Sequence, residues 1–172
     1  MQADRPFMGI CLGLQLLFDG GDENGGVEGL GLIPGRIAAF TPAPGLPVPH
    51  IGWNTIAQQR PSRLLSATSA DDRLYFVHSF RAMPEAANEE WVLATASYGE
   101  DFVAVVNKGN VHASQFHPEK SGQAGLQLLK NFVTLEAVPQ PKAVPPTPEG
   151  ASVLRAAWLA WLDVMFSSVR DV

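Results

Sequence analysis

Phe7-Met8-Gly9-Ile10-Cys11-Leu12-Gly13-Leu14-Gln15 is the stretch whose reading decides the fold. Arg5 to Ile10 reads as a short buried strand and Leu12 to Phe18 as the first turns of a helix, with the chain's single cysteine at the junction. A strand that turns sharply at a nucleophile and continues as a helix is the layout of a nucleophile elbow. The flanking glycines, Gly9 and Gly13, let neighbouring backbone approach closely and keep the turn open. A thiol at a helix N-terminus is expected to be favoured as thiolate by free N–H groups and the helix dipole.

Outward from the elbow, Asp19-Gly20-Gly21 stops the helix, and the Gly-, Asp- and Glu-rich residues 19–31 read as a loop. Strands are expected over 35–40, 74–80, 91–97, 102–107 and 111–116, the last two joined as a hairpin by Lys108-Gly109-Asn110. Residues 123–135 form a helix in this reading, with Leu126, Leu129 and Val133 on one apolar stripe. Segment 136–150 carries five prolines and reads as a linker. Beyond it, residues 151–172 have apolar residues at helical spacing, interrupted by Arg155 and Asp163, and read as a short helical tail.

At 172 residues, 46% hydrophobic and 17% charged, the chain can bury a full core and is expected to fold. A net charge of −5 with no basic patch argues against nucleic-acid binding. One cysteine cannot build a disulfide framework. No apolar run is long enough to span a bilayer and the N-terminus lacks a signal-peptide pattern, so a soluble intracellular protein is expected. No His, Cys and Asp cluster has metal-ligand spacing, and no metal or other cofactor is expected.

The second half of the chemistry lies in Val111-His112-Ala113-Ser114-Gln115-Phe116-His117-Pro118-Glu119. Pro118 biases His117 toward an extended conformation, in which residues two apart face the same side. Glu119 can then orient one ring nitrogen of His117 and leave the other facing outward, which is the base-and-carboxylate half of a nucleophilic triad. Cys11, His117 and Glu119 are the candidate catalytic residues. His50, His78 and His112 are expected to be structural, hydrogen-bonded histidines.

Gly-Ile-Cys-Leu-Gly-Leu-Gln (9–15) with Gln-Phe-His-Pro-Glu-Lys-Ser (115–121) resembles the class I glutamine amidotransferases. Many members of that superfamily have histidine where this chain has Leu14. Pro49-His50-Ile51-Gly52-Trp53-Asn54, Tyr75-Phe76-Val77-His78-Ser79-Phe80-Arg81 and Lys120-Ser121 are similar to the glutaminase part of imidazole glycerol phosphate synthases. The resemblance runs from about Arg5 to about Val133. It implies an α/β fold, a mixed sheet flanked by helices, and hydrolysis of glutamine to glutamate and ammonia through a glutamyl thioester on Cys11. It also implies that Leu12 supplies a backbone oxyanion donor, that Gln15 helps to hold the substrate, and that Ser79 and Phe80 bind its amino-acid end. Trp53, Tyr75 and Lys120 match positions that face the partner, a cyclase domain or subunit that uses the ammonia to form imidazole glycerol phosphate in histidine biosynthesis. A cytoplasmic or plastid-stromal location is implied by the same resemblance.

Under that resemblance the family's upstream strands are expected to lie outside this chain, among them the glycine-rich turn that provides the other oxyanion donor. Loss of one such donor costs on the order of a hundredfold in turnover, so the chain alone is expected to be unstable and poorly active. Trp161-Leu162-Asp163-Val164 resembles the first strand of the cyclase, which makes residues 151–172 either a helical tail or a vestigial start of the cyclase barrel. In domain terms the expectation is an N-terminally incomplete amidotransferase domain over 1–135, followed by the linker 136–150. Two alternatives stay open: a different cysteine-dependent amidotransferase or hydrolase on the same elbow, and an inactive remnant that only binds a partner.

Overall fold

In the computed structural model the described residues are 5–135. The chain divides into two units at Gln140 and Pro141, and every described residue lies in the first. The expected linker 136–150 and tail 151–172, with Asp163, lie outside the described residues.

The fold is mixed α/β. Its elements in chain order are strand β1 (Phe7–Ile10), helix α1 (Leu12–Gln15), and strands β2 (Phe18–Gly21), β3 (Val27–Glu28), β4 (Ile33–Ala39), β5 (His50–Asn54), β6 (Ala57–Gln58), β7 (Leu74–His78), β8 (Phe80–Ala82), β9 (Val92–Tyr98), β10 (Glu100–Lys108) and β11 (Val111–Ser114); helix α2 (Gly122–Val133) closes the series. The strands form three sheets: β1-β11-β10-β9-β6, β3-β2-β4-β8 and the pair β5-β7. The first is the mixed sheet expected, since β1 runs parallel to β11 while β11, β10 and β9 are antiparallel neighbours. The Lys108-Gly109-Asn110 hairpin also forms as expected.

Strand β10 runs through the centre of this sheet, and Phe102 to Val106 are all fully buried because both faces are covered. On one side Phe102 and Ala104 pack with Phe76, Leu93, Phe116 and Leu128. On the other, Val103 and Val106 pack with Leu14, Leu17, Phe18 and Ile33.

Three expectations about the first helix and the strands are corrected. The first helix is a single turn, ending at Gln15 instead of running to Phe18. Leu14, Leu17 and Phe18 do recur at helical spacing, but Phe18 enters a strand that pairs in parallel with β4 at Ile33. The stretch 19–31 is consequently not a plain loop: it holds most of β2, a 3₁₀ turn at Glu23–Gly25, and β3. Third, residues 74–80 are not one strand. The chain breaks at Ser79, so that β7 pairs with β5 while β8 pairs with β4 in a different sheet.

Helix α2 turns a different face inward from the one expected. Leu126 and Val133 are 55% and 75% exposed, whereas Gly125 and Leu128 are buried and Ala124 and Phe132 pack on the core. The reason is a close approach: a Cβ on Gly125 would lie 1.9 Å from the Pro118 carbonyl oxygen. Only a residue without a side chain lets the helix sit against the turn that carries Glu119.

Candidate active site

The two halves of the site meet because β1 and β11 are parallel neighbours that end together. Their register pairs Ile10 with Ser114, and the Cys11 N–H donates to the Ser114 carbonyl at 2.7 Å. Side chains just beyond both strand ends therefore converge, the usual place for a ligand site in an α/β sheet.

Cys11 sits at φ 52°, ψ −101°, in the left-handed region that a non-glycine residue avoids. Such a conformation costs on the order of 1–3 kcal/mol and persists only where the surroundings impose it. Here the Cys11 carbonyl accepts from the Leu14 and Gln15 N–H groups at 3.0 and 3.3 Å, so the turn into α1 begins at the cysteine itself. Gly9 is sterically required, since a Cβ there would lie 2.6 Å from the Gly13 carbonyl oxygen, while Gly13 faces open space.

The thiol is not the low-pKa group expected. Burial pushes its pKa above the ordinary value and outweighs the two donors that favour thiolate, the Leu12 N–H and the Gln115 side chain. The field of Glu119 pushes the same way as burial, and that of Lys120 opposes it. A four-residue helix has little dipole to offer. A thiol held protonated in this way needs a base to remove its proton.

His117 is extended at φ −98°, ψ 97°, as expected before a proline. Its Nδ1 lies 2.7 Å from Glu119 Oε1. Glu119 reaches back because Pro118–Lys120 coil into a 3₁₀ turn, not because the strand continues. Ser121, absent from the expected site, locks this turn to β7: its hydroxyl donates to the His117 carbonyl at 2.6 Å and accepts from the Tyr75 N–H at 2.9 Å. The carboxylate on Nδ1 leaves Nε2 as the free ring nitrogen. Among the described residues no hydrogen bond joins Cys11 to His117; contacts of this kind often tighten only with substrate bound.

Of the four residues expected to contact substrate, Leu12 lies beside the thiol, where its N–H favours the thiolate. Gln15 Nε2 donates to the Phe80 carbonyl and to Gln115 Oε1, both at 3.0 Å. The Phe80 carbonyl also meets His78 Nδ1 at 2.8 Å, and the Ser79 carbonyl accepts from the Phe40 N–H at 2.9 Å. Both carbonyls are thus engaged within the fold. Trp53, Tyr75 and Lys120 lie together: the Trp53 and Tyr75 rings meet edge to face at 5.7 Å, and Lys120 Nζ stands 5.9 Å from the Tyr75 ring centre.

His50, His78 and His112 are buried and hydrogen-bonded, His50 Nδ1 to His78 Nε2 at 3.0 Å and His112 Nδ1 to Asn107 at 3.0 Å. Burial lowers the pKa of each to about 4. Among the described residues no group of His, Cys, Asp and Glu could hold a metal ion, and no helix is long and apolar enough to cross a membrane.

Fold and site together define an α/β protein with a thiol on a strand–helix elbow next to a histidine–carboxylate pair. The chain belongs to the glutamine amidotransferase class-I family, whose model matches residues 1–135. It is 46% identical to the chloroplastic imidazole glycerol phosphate synthase hisHF of Arabidopsis thaliana over 172 residues, all of this chain and 28% of that protein. It is 49% identical to the HisH subunit of imidazole glycerol phosphate synthase from Syntrophotalea carbinolica over 140 residues, 77% of this chain and 66% of that one. The chain thus spans less than two thirds of the length of either relative. The crystal structure of a putative GMP synthase subunit from Thermoplasma acidophilum shares the fold, with a TM-score of 0.53 at 16% identity over 74% of this chain and 55% of that one.

Proposed function

We propose that this chain hydrolyses glutamine to glutamate and ammonia with Cys11 as nucleophile, His117 as base and Glu119 as its orienting carboxylate, and that the ammonia passes to a cyclase that forms imidazole glycerol phosphate. The observation that carries this reading is the 2.7 Å His117–Glu119 pair at the end of β11, beside the strained Cys11 elbow at the end of β1. His117 Nε2 takes the thiol proton as sulfur attacks the side-chain amide carbon. The Leu12 N–H, next to the sulfur in the chain, is a donor for the developing oxyanion. His117 then returns the proton to the leaving nitrogen, ammonia departs, and water hydrolyses the thioester. In substrate binding, Gln15 has both Nε2 hydrogens committed and offers Oε1 as an acceptor to the amino-acid end of glutamine, next to Ser79 and Phe80.

Trp53, Tyr75 and Lys120, with the exposed Ile51, form the face offered to the cyclase. The family match over residues 1–135 supports reading them as the amidotransferase domain, with 136–150 as linker and 151–172 as a short helical tail or a vestigial start of the cyclase barrel. The test is covalent labelling of Cys11 by a glutamine-mimicking diazoketone. Stoichiometric labelling that glutamine blocks and Cys11→Ser abolishes is expected. A folded chain whose Cys11 reacts with iodoacetamide but never with the diazoketone would overturn the glutaminase reading.

A further inference from the structure

We propose that Gln115 is a positioning residue for the nucleophile, clamping the Cys11 sulfur through an amide relay that starts at the Phe80 carbonyl; its link to turnover rests on the glutaminase reading. Gln115 is fully buried, and its backbone N–H is tied to the Ala104 carbonyl at 2.8 Å. It is the first residue after β11 and lies two positions before His117. Its Nε2 lies 3.6 Å from Cys11 Sγ, within reach for a donor to sulfur.

The polarity of the relay is set by one atom. A backbone carbonyl oxygen can only accept, so the end of the Gln15 amide that meets Phe80 is Nε2. The second hydrogen of that nitrogen goes to Gln115, so the facing atom there is Oε1. The Gln115 amide is planar, and its remaining end, Nε2, must therefore point at the sulfur as a donor. Reversing either amide sets two donors or two acceptors against each other inside the protein, which is costly for buried groups. The Phe80 carbonyl is held in turn by His78 Nδ1 at 2.8 Å. The fold thus presents one fixed donor to Cys11 from the bend after β11, and the Leu12 N–H at the start of α1 acts on the thiol in the same direction.

A donor aimed at sulfur favours the thiolate that the base produces and fixes the rotamer in which it attacks. The charged groups whose fields reach the sulfur are Glu119 and Lys120 on the turn after β11; the substitutions tested here touch neither. The experiment is the pH dependence of iodoacetamide alkylation of Cys11 in the full 172-residue chain, compared with Gln115→Met and Gln15→Leu. Gln115→Met is expected to move the midpoint up by about half to one pH unit and to slow alkylation at pH 7 by about three- to tenfold. Gln15→Leu, which frees the relay without touching the sulfur, is expected to shift the midpoint in the same direction by less.

A midpoint that stays put in folded Gln115→Met overturns the proposal. If that variant loses its near-ultraviolet circular dichroism, Gln15→Leu decides by the same measure. Alkylation by iodoacetamide does not require glutamine chemistry. A shifted midpoint in a chain that the diazoketone never labels would keep the positioning role and discard the glutaminase reading.

Discussion

The strand pairs β1–β11 and β5–β7 are both only four or five residues long, yet they use their side chains in opposite ways. In β11 and the residues beyond it, His112 to Phe116 are buried in an unbroken run, and what converges there is the Cys11 thiol, the Gln15 and Gln115 amides and a histidine. In β7 the pattern alternates, with Leu74, Phe76 and His78 inward and Tyr75 and Val77 partly exposed. Strand β5 alternates too, turning Ile51 and Trp53 outward at 59% and 51% exposure. The difference lies in coverage. A strand inside a sheet covered on both faces excludes water from everything it carries, whereas a two-stranded sheet packed on one face leaves its other face as a surface. The pairs are not isolated from each other, because His78 and Gln15 meet on the Phe80 carbonyl.

The sharpest way to break this contrast is His117→Ala. With His117 as the proposed base, its loss is expected to lower diazoketone labelling and glutamine hydrolysis by about 10²–10⁴-fold. The side chain is a minor part of the core, so the thermal midpoint should move by less than about 4 °C. A fall in stability with no fall in labelling would make His117 a structural residue like the other three histidines.

A smaller effect is expected from acid, and it should begin in the β5–β7 pair. His50 and His78 have pKa values near 4 in the fold against about 6.5 unfolded, and His112 in β11 behaves alike. Between those values the unfolded chain binds more protons. The stabilisation is therefore complete above pH 6.5 and is lost as pH falls toward 4. Thermal melts at about pH 7.5 and 4.5 are expected to differ by about 5–10 °C, with amide exchange rising first in β5 and β7. A flat profile would mean that the histidine pair is not held neutral by burial.

The smallest expected effect is that of Trp53→Ala. Half-exposed, its ring contributes chiefly the edge-to-face contact with Tyr75, worth about 0.5–1.5 kcal/mol. A urea midpoint displaced by about 1 kcal/mol at unchanged slope is expected. A loss of about 3–5 kcal/mol, as for a core aromatic, would show that the β5–β7 face belongs to the interior.

What the sequence determined by itself is whatever depends on neighbours along the chain. The elbow at Gly9-Ile10-Cys11, the extended His117 before Pro118, and the 108–110 hairpin arise from local backbone preference and period-two alternation, and they recur in the structure. Gln115 stands two residues before His117 in the same motif, yet the contacts of its side chain depend on Gln15 and Phe80, which are 100 and 35 positions away. Tertiary structure alone decided which apolar face of α2 is buried, because the choice turns on Gly125 fitting under the Pro118 carbonyl rather than on the leucine spacing. It also decided that the first helix stops after one turn, since Phe18 gains more by pairing beside Ile33 than by extending a four-residue helix with few partners. The protonation of Cys11 belongs to the same class. Sequence places it at a helix N-terminus, but burial, a property of the assembled fold, outweighs the donors and keeps the proton on sulfur.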